Sequence, residues 1–196
     1  MVISGVMPTD EIKADLKKIL SQKRYIHSLG VADEAERLAR RYGANPDKAF
    51  LAGLVHDCAK EFPPDKMESM LKSMYGVSVD AMSRLMPKIL HGPLGACEAQ
   101  RKYNIYDPEI LDAVKYHTTG KGGMSLLGKI IYIADYIEPN RDFEGVEVLR
   151  KLAYDNIDEA IIYGIDETIK DLIDRGLVIH PDTVHARNDL IIKRDV

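Results

Sequence analysis

Leu54-Val55-His56-Asp57-Cys58-Ala59-Lys60 joins an apolar run to an adjacent imidazole and carboxylate. The residues leading into it, Ala49, Ala52, Gly53 and Leu54, have helical spacing. Three of them are small enough to let a second helix approach closely. Asn45-Pro46 starts this helix, Asn as the cap and Pro in the first turn, where its missing N–H does no harm. Pro63-Pro64 breaks the chain beyond it. The His-Asp pair therefore sits at a helix end, where both side chains can address one point. By itself the pair is a weak signal, because such a dipeptide arises by chance in many chains.

On the N-terminal side, Thr9 or Asp10 is predicted to cap a first helix with Ile12, Leu16, Ile19 and Leu20 on its apolar face. A second helix is predicted from Tyr25 to about Tyr42, with Gly43 as its stop and His27 one turn before the inner residue Val31. On the C-terminal side, Pro64 to Tyr75 reads as an amphipathic helix with Met67, Met70, Leu71 and Met74 inside. Val79 to Leu90 reads as another, disturbed at Pro87. His91-Gly92-Pro93 is predicted to be a turn before a helix from Leu94 to Tyr103. Asp107-Pro108 starts a helix that ends at His117. Thr118 to Gly123 is a glycine-rich loop, Ser125 a cap, and Leu126 to Ile137 a helix containing Asp135 and stopped by Pro139. A long helix is expected from Ile157 to Arg175, followed by an irregular tail that puts His180 and His185 at the surface. Period-two alternation is lacking, with Leu177-Val178-Ile179 too short to decide. The fold class is therefore all-α.

Composition narrows the function. The chain has 196 residues, 45% of them hydrophobic, and a formal net charge of −4, which suits one domain with a real core and no basic stripe for nucleic acid. Two cysteines, Cys58 and Cys97, fit a reducing cytoplasm rather than a disulfide framework. Residues 1–10 do not read as a signal peptide, and the most apolar stretch, 126–137, is too short to span a bilayer. Neither nucleic acid nor a membrane is an expected partner.

Four of the six histidines and one further Asp fall on inner faces or at helix ends: His27, His56, His91, His117 and Asp135. With Asp57 they make six candidate ligands for Fe, Mn, Co, Ni or Zn. Taken alone, His27 reads equally well as a core histidine, and His91 as a turn residue. Asp135 is harder to explain away, since among Ile131, Ile133, Ala134 and Ile137 it needs a cation or several donors. Cys58 reads better as a small buried residue than as a thiolate ligand.

The order His27, His56-Asp57, Asp135 resembles the HD-domain metal-dependent phosphohydrolase superfamily. The stretches Tyr25–Val31, His56–Lys60, His91–Ala96, His117–Gly120 and Ile133–Arg141 resemble its YqeK-type group, over roughly residues 18 to 175. The resemblance implies a single HD domain over residues 1–196, with a short N-terminal helix and a C-terminal tail outside that core. It implies one metal on His27, His56, Asp57 and Asp135, and a second on His91 and His117, with Asp57 bridging. Iron is the expected metal, with manganese or cobalt as alternatives. The implied activity is symmetrical hydrolysis of diadenosine tetraphosphate to two ADP by a hydroxide held between the metals, so the partner is a small nucleotide with an ADP- or GDP-type product.

Asp57 and Lys60 are the candidate catalytic residues. Arg24, Lys60, Gly120, Lys121 and Arg141 are the candidate phosphate contacts. Tyr25, Tyr116, Tyr132 and Tyr136 are candidates for base stacking, with core packing as the simpler role. Three alternatives stay open: an HD phosphohydrolase acting on a mononucleotide or deoxynucleotide, a di-iron oxygenase, and a non-catalytic nucleotide-binding module. A homodimer through the Met-rich stretch Met67 to Met86 is also open.

Overall fold

The computed structural model describes residues 5–194. The first four residues of the segment read as lacking a signal sequence lie outside the described residues. In chain order the helices are α1 (Thr9–Ile19), α2 (Gln22–Tyr42), α3 (Pro46–Val55), α4 (Pro64–Tyr75), α5 (Ala81–Leu85), a 3₁₀ helix (Pro87–Leu90), α6 (His91–Tyr103), α7 (Pro108–Tyr116), α8 (Leu126–Ile137), α9 (Val146–Asp155), α10 (Ile157–Asp174) and α11 (Pro181–Arg194). Among the described residues there is no strand, so the fold is all-α. No helix among them is long and apolar enough to cross a membrane.

The capping chemistry explains most of the boundaries. The side chain of Asn45 accepts from the backbone N–H groups of Asp47 and Lys48, and Asp107 does the same for Glu109 and Ile110. Gly43 closes α2 at φ 75°, a left-handed conformation that glycine adopts without a Cβ clash. Helix α3 packs against α2 so closely that a Cβ on Gly53 would stand 2.8 Å from the Ala32 Cα, with Ala49 and Ala52 buried on the same helix. This contact fixes the distance between the helix carrying His27 and the helix ending in His56. Helix α8 buries Leu127, Ile130, Ile131, Ile133 and Ile137. At about 1.5–3 kcal/mol per buried side chain, this anchorage is strong enough to hold the polar Asp135 in a fixed place.

Several boundaries differ from expectation. Helix α1 starts after Pro8, which provides no side-chain cap, so neither Thr9 nor Asp10 is the capping residue. Helix α2 starts three residues earlier than expected, with the Ser21 hydroxyl accepting from the Arg24 N–H. The segment before Leu90 is two short pieces, because Met86 (φ −124°, ψ 55°) leaves helical geometry between them. His91 is the first residue of α6 rather than part of a turn, since the 3₁₀ helix runs directly into it. Met74 is 54% exposed rather than inside. Helix α9 was not expected. The tail is helical too, with Thr183, Ala186 and Leu190 buried at helical spacing.

His180 is buried, not at the surface, whereas His185 is exposed as expected. The His180 Nδ1 accepts from the Asp182 N–H at 3.2 Å, so its proton is on Nε2, 3.3 Å from the Ser83 Oγ. The Ser83 hydroxyl in turn donates to Asp80 at 2.5 Å. This Ser-His-Asp grouping has the wrong tautomer for a general base. It clasps the start of α11 onto the cap of α5.

Candidate metal centre

All six sequence-selected ligands converge. His27 comes from the second turn of α2, His56 and Asp57 follow α3, His91 opens α6, His117 follows α7, and Asp135 lies in the last turn of α8. The four imidazoles and Asp57 are buried, and only Asp135, with its side chain 17% exposed, reaches the surface of the cluster. The His27 and His56 rings are 5.2 Å apart and those of His91 and His117 are 4.8 Å apart, both edge to face.

The second nitrogen of each ring fixes its tautomer. His56 Nδ1 donates to the Gly53 carbonyl at 2.7 Å, His91 Nδ1 to Lys88 and His117 Nδ1 to Val114, each three residues back. A helix end leaves such carbonyls without an intrahelical partner, which is why histidines at helix ends can use them. His27 lies inside a helix and donates instead to Glu138 Oε1 at 3.1 Å. All four Nε2 lone pairs therefore face inward.

Asp57 sits between two imidazole pairs. Its Oδ2 is 3.8 Å from His27 Nε2 and 3.4 Å from His56 Nε2, while its Oδ1 is 3.2 Å from His91 Nε2 and 3.4 Å from His117 Nε2. Asp135 Oδ1 adds to the first pair at 3.0 Å from His27 Nε2. The ligand atoms of His27, His56 and Asp135 lie within 4.8 Å of one another, as do those of His56, Asp57 and His117. Buried His27 Nε2, His56 Nε2 and Asp57 Oδ1 have no hydrogen-bond partner. Buried polar atoms are rarely left so, and inward lone pairs around a carboxylate are what a divalent cation requires. The residues therefore fit a metal.

Electrostatics agree with that donor set. Where no cation is bound, protonated rings take its place: burial works against ionisation of Asp57, but the charge of His56 and then the neighbouring His117 and His91 rings, when they carry a second proton, hold its carboxyl well below the usual range. Asp135 is lowered in the same way, burial being outweighed by His27, His56 and Arg141. Burial, together with the charges of His117 and Lys60, pushes His91 down to about 4. The Cys58 thiol points to the Gly95 carbonyl at 3.5 Å and burial pushes its pKa up, so it behaves as a packing residue.

Three of the expected cations reach the cluster. Arg24 Nη1 is 2.7 Å from Asp57 Oδ2, and Lys60 Nζ is 2.9 Å from His91 Nε2 and 3.6 Å from Asp57 Oδ1. Arg141 holds both the backbone carbonyl and the side chain of Asp135. The glycine-rich loop does not join them. Lys121 pairs with Asp112 at 2.7 Å and lies over the Tyr116 ring. The Gly120 N–H is taken by the Tyr116 carbonyl and the Gly123 N–H by Asp189. Helix α11, unexpected from the sequence, packs over this loop, and a Cβ on Gly120 would meet Ala186 at 2.9 Å.

Thr118, Glu138, Asn140 and Arg150 were not selected from sequence. The Thr118 hydroxyl is 3.2 Å from His91 Nε2. Arg150, from α9, donates to the carbonyls of Ile137, Glu138 and Arg141 and so folds the turn that carries Glu138, Asn140 and Arg141. A motif rich in Glu, Pro, Asn and Arg just past Asp135 was the available signal, but spacing alone assigned no role to its first three residues. Beside the cluster a cleft of 580 Å³ opens, with His117, Asp135 and Arg141 at one end and Phe143, Tyr136, Tyr163 and Thr168 along its walls.

An all-helical frame that turns a His-Asp pair, three further histidines and a late Asp onto one point defines an HD-domain hydrolase. The HD domain family model matches residues 24–140. Against curated proteins, the chain is 41% identical over 187 residues to a symmetrical bis(5'-nucleosyl)-tetraphosphatase of Bacillus subtilis, covering 94% of this chain and 98% of that one. It is 38% identical over 179 residues to another of the same name from Halalkalibacterium halodurans, covering 91% and 95%. A crystal structure of a predicted HD superfamily hydrolase involved in NAD metabolism, from Clostridium acetobutylicum, superposes with a TM-score of 0.94 at 44% identity, covering 96% of this chain and all of that one. The chain belongs to the HD-domain family and, within it, to the symmetrical bis(5'-nucleosyl)-tetraphosphatases.

Proposed function

We propose that the protein cleaves diadenosine tetraphosphate between its two central phosphates, releasing two ADP. The observation that carries this reading is the Asp57 carboxylate lying between two imidazole pairs, with Arg24, Lys60 and Arg141 at the same mouth. His27, His56, Asp57 and Asp135 would hold one divalent cation, and His91 and His117 with Asp57 a second. Bound there, such cations supply Lewis acidity and a water acidic enough to attack at neutral pH. Iron is the proposed metal, with manganese or cobalt as substitutes.

The residues of the chain do the rest. Arg24 and Arg141 neutralise phosphate oxygens and orient the chain of phosphates. Lys60, whose ammonium pKa is lowered mainly by burial, stands beside Asp57 to offset charge on the departing diphosphate. Water oxygen bonds to one central phosphorus, the anhydride bond to the bridging oxygen breaks, that oxygen leaves on the second ADP, and a proton passes to solvent. Phosphoryl transfer of this kind needs mainly positioning and charge stabilisation. The cleft beside the cluster is within the roughly 300–1,000 Å³ range of small-molecule sites and suits one nucleoside diphosphate half.

In this reading α10 and α11 belong to the same domain as the site. Free Cys58 and Cys97 support a reducing cytoplasm. Exposed Met74 and Leu85 support a homodimer surface, which light scattering would test.

Turnover of diadenosine tetraphosphate in ¹⁸O-water tests the reaction. Two ADP, with one label per turnover on a terminal phosphate, are expected. ATP with AMP overturns the symmetrical cut. An intact dinucleotide alongside dephosphorylated mononucleotides favours a different HD phosphohydrolase, and NAD belongs in the same panel.

A further inference from the structure

The four inward-facing histidines do not share one support. Three rest on carbonyls three residues back in the chain. The His27 Nδ1 rests instead on Glu138, 111 residues away in sequence. We infer that Glu138 is the positioning residue of the first metal site, holding His27 with Nδ1 protonated and Nε2 free for the cation. This inference rests on the metal reading above.

Three further observations support it. Glu138 is 2% exposed, and among the described residues its only ion-pair partner is the His27 ring. A buried carboxylate whose one ion-pair partner is an imidazole gains when positive charge lies beyond the ring. Its second oxygen, Oε2, accepts from the Asn140 backbone N–H at 2.8 Å and from Asn140 Nδ2 at 2.9 Å, so the carboxylate cannot rotate away. Finally, the space for it is made by Gly30, one turn after His27, where an added Cβ would stand 2.5 Å from Glu138 Oε2. Carboxylate support of a ligand histidine fixes ring and tautomer together, and its loss weakens metal binding by about 10–100-fold.

Glu138→Gln gives a sharp test, because an amide cannot reproduce both contacts. If its NH₂ faces Asn140, it opposes two donors. If its NH₂ faces His27, Nδ1 must accept, and the ring proton moves to Nε2, where it points at the cation site. Two donors against one favour the second arrangement.

The experiment uses the full chain stripped with a chelator. Long-range ¹H–¹⁵N spectra of the imidazoles are expected to show His27 protonated on Nδ1 in the wild type and on Nε2 in Glu138→Gln. Calorimetric titration with Mn²⁺ is expected to show first-site binding weakened by about 10–100-fold in the variant. Should that variant fail to fold, Asn140→Ala carries the test, since it leaves Glu138 in place and removes the side-chain one of the two donors that hold Oε2, the backbone N–H remaining; a smaller loss in the same direction is expected. Wild-type His27 protonated on Nε2, or Mn²⁺ affinity unchanged in a folded variant, overturns the role of Glu138. A wild type that binds no Mn²⁺ overturns the metal reading, and this one with it.

Discussion

Gly53→Ala tests whether the approach of α2 and α3 sets the metal geometry. The new Cβ would lie 2.8 Å from Ala32 Cα, 3.0 Å from Ala32 N and 3.0 Å from Val31 O, all backbone atoms that cannot swing aside. Reaching an ordinary contact of 3.4 Å requires the helices to separate by about 0.6 Å. His27 rides on α2, while His56 and Asp57 ride on the end of α3, so the separation opens the first ligand set. Overpacking of this kind costs about 1–3 kcal/mol, offset by up to about 1 kcal/mol of helix propensity. For a chain of this length each net kcal/mol lowers the melting temperature by about 2–4 °C, so a net cost of about 1–2 kcal/mol should make the chelated protein melt roughly 2–8 °C lower. Ligand distances tolerate only about 0.2 Å, so Mn²⁺ affinity should fall at least about tenfold. Differential scanning calorimetry and metal titration read both effects. Gly164→Ala is the control: a Cβ there meets nothing within 4 Å, and the fold should be unchanged or slightly stabilised. An unchanged melting temperature with wild-type metal affinity in Gly53→Ala would refute the argument.

Other expectations follow from the same geometry. Asp57→Asn keeps the shape but removes the charge between the imidazole pairs, so metal content by elemental analysis should drop and turnover should fall by more than about a thousandfold. Arg150→Ala removes donors to three carbonyls of the turn after α8; it should lower the melting temperature and weaken Mn²⁺ binding together, and retention of both would count against a role for α9 in the site. The metal-free protein should lose stability as pH falls from about 6.5 to about 4, because unfolded His91 takes up a proton there that the buried ring, held near 4, does not. The contributions of Asp57 and Asp135, both held below the usual carboxylate range, persist above their unfolded pKa and are lost below it. Urea midpoints against pH check this, and His91→Asn should flatten the upper part of the curve. Gly164→Leu, projecting into the cleft, should raise KM for the dinucleotide and leave Mn²⁺ affinity unchanged; equal loss of both would place the substrate elsewhere.

The helical class and the ligand types were legible because both depend on local order. Asn45-Pro46, Asp107-Pro108 and Ser125 satisfy N–H groups within three residues of themselves, and Asp135 stands out against the isoleucines around it. Helix α9 was not legible, since it starts from Gly145 without a side-chain cap and exposes Val148 in what would be its apolar row. Helix α11 keeps a buried row of only Thr183, Ala186 and Leu190, too small and polar to stand out.

The sequence by itself thus determined an all-α frame and which side chains offer nitrogen and oxygen to a cation, because periodicity and donor chemistry are properties of residues and near neighbours. Tertiary structure alone decided the arrangement of that set. It put Asp57 between two imidazole pairs, turned Lys121 to Asp112, closed the glycine loop under α11, and brought Glu138 to His27. Those outcomes depend on how closely helices far apart in sequence can pack, which no spacing along the chain encodes.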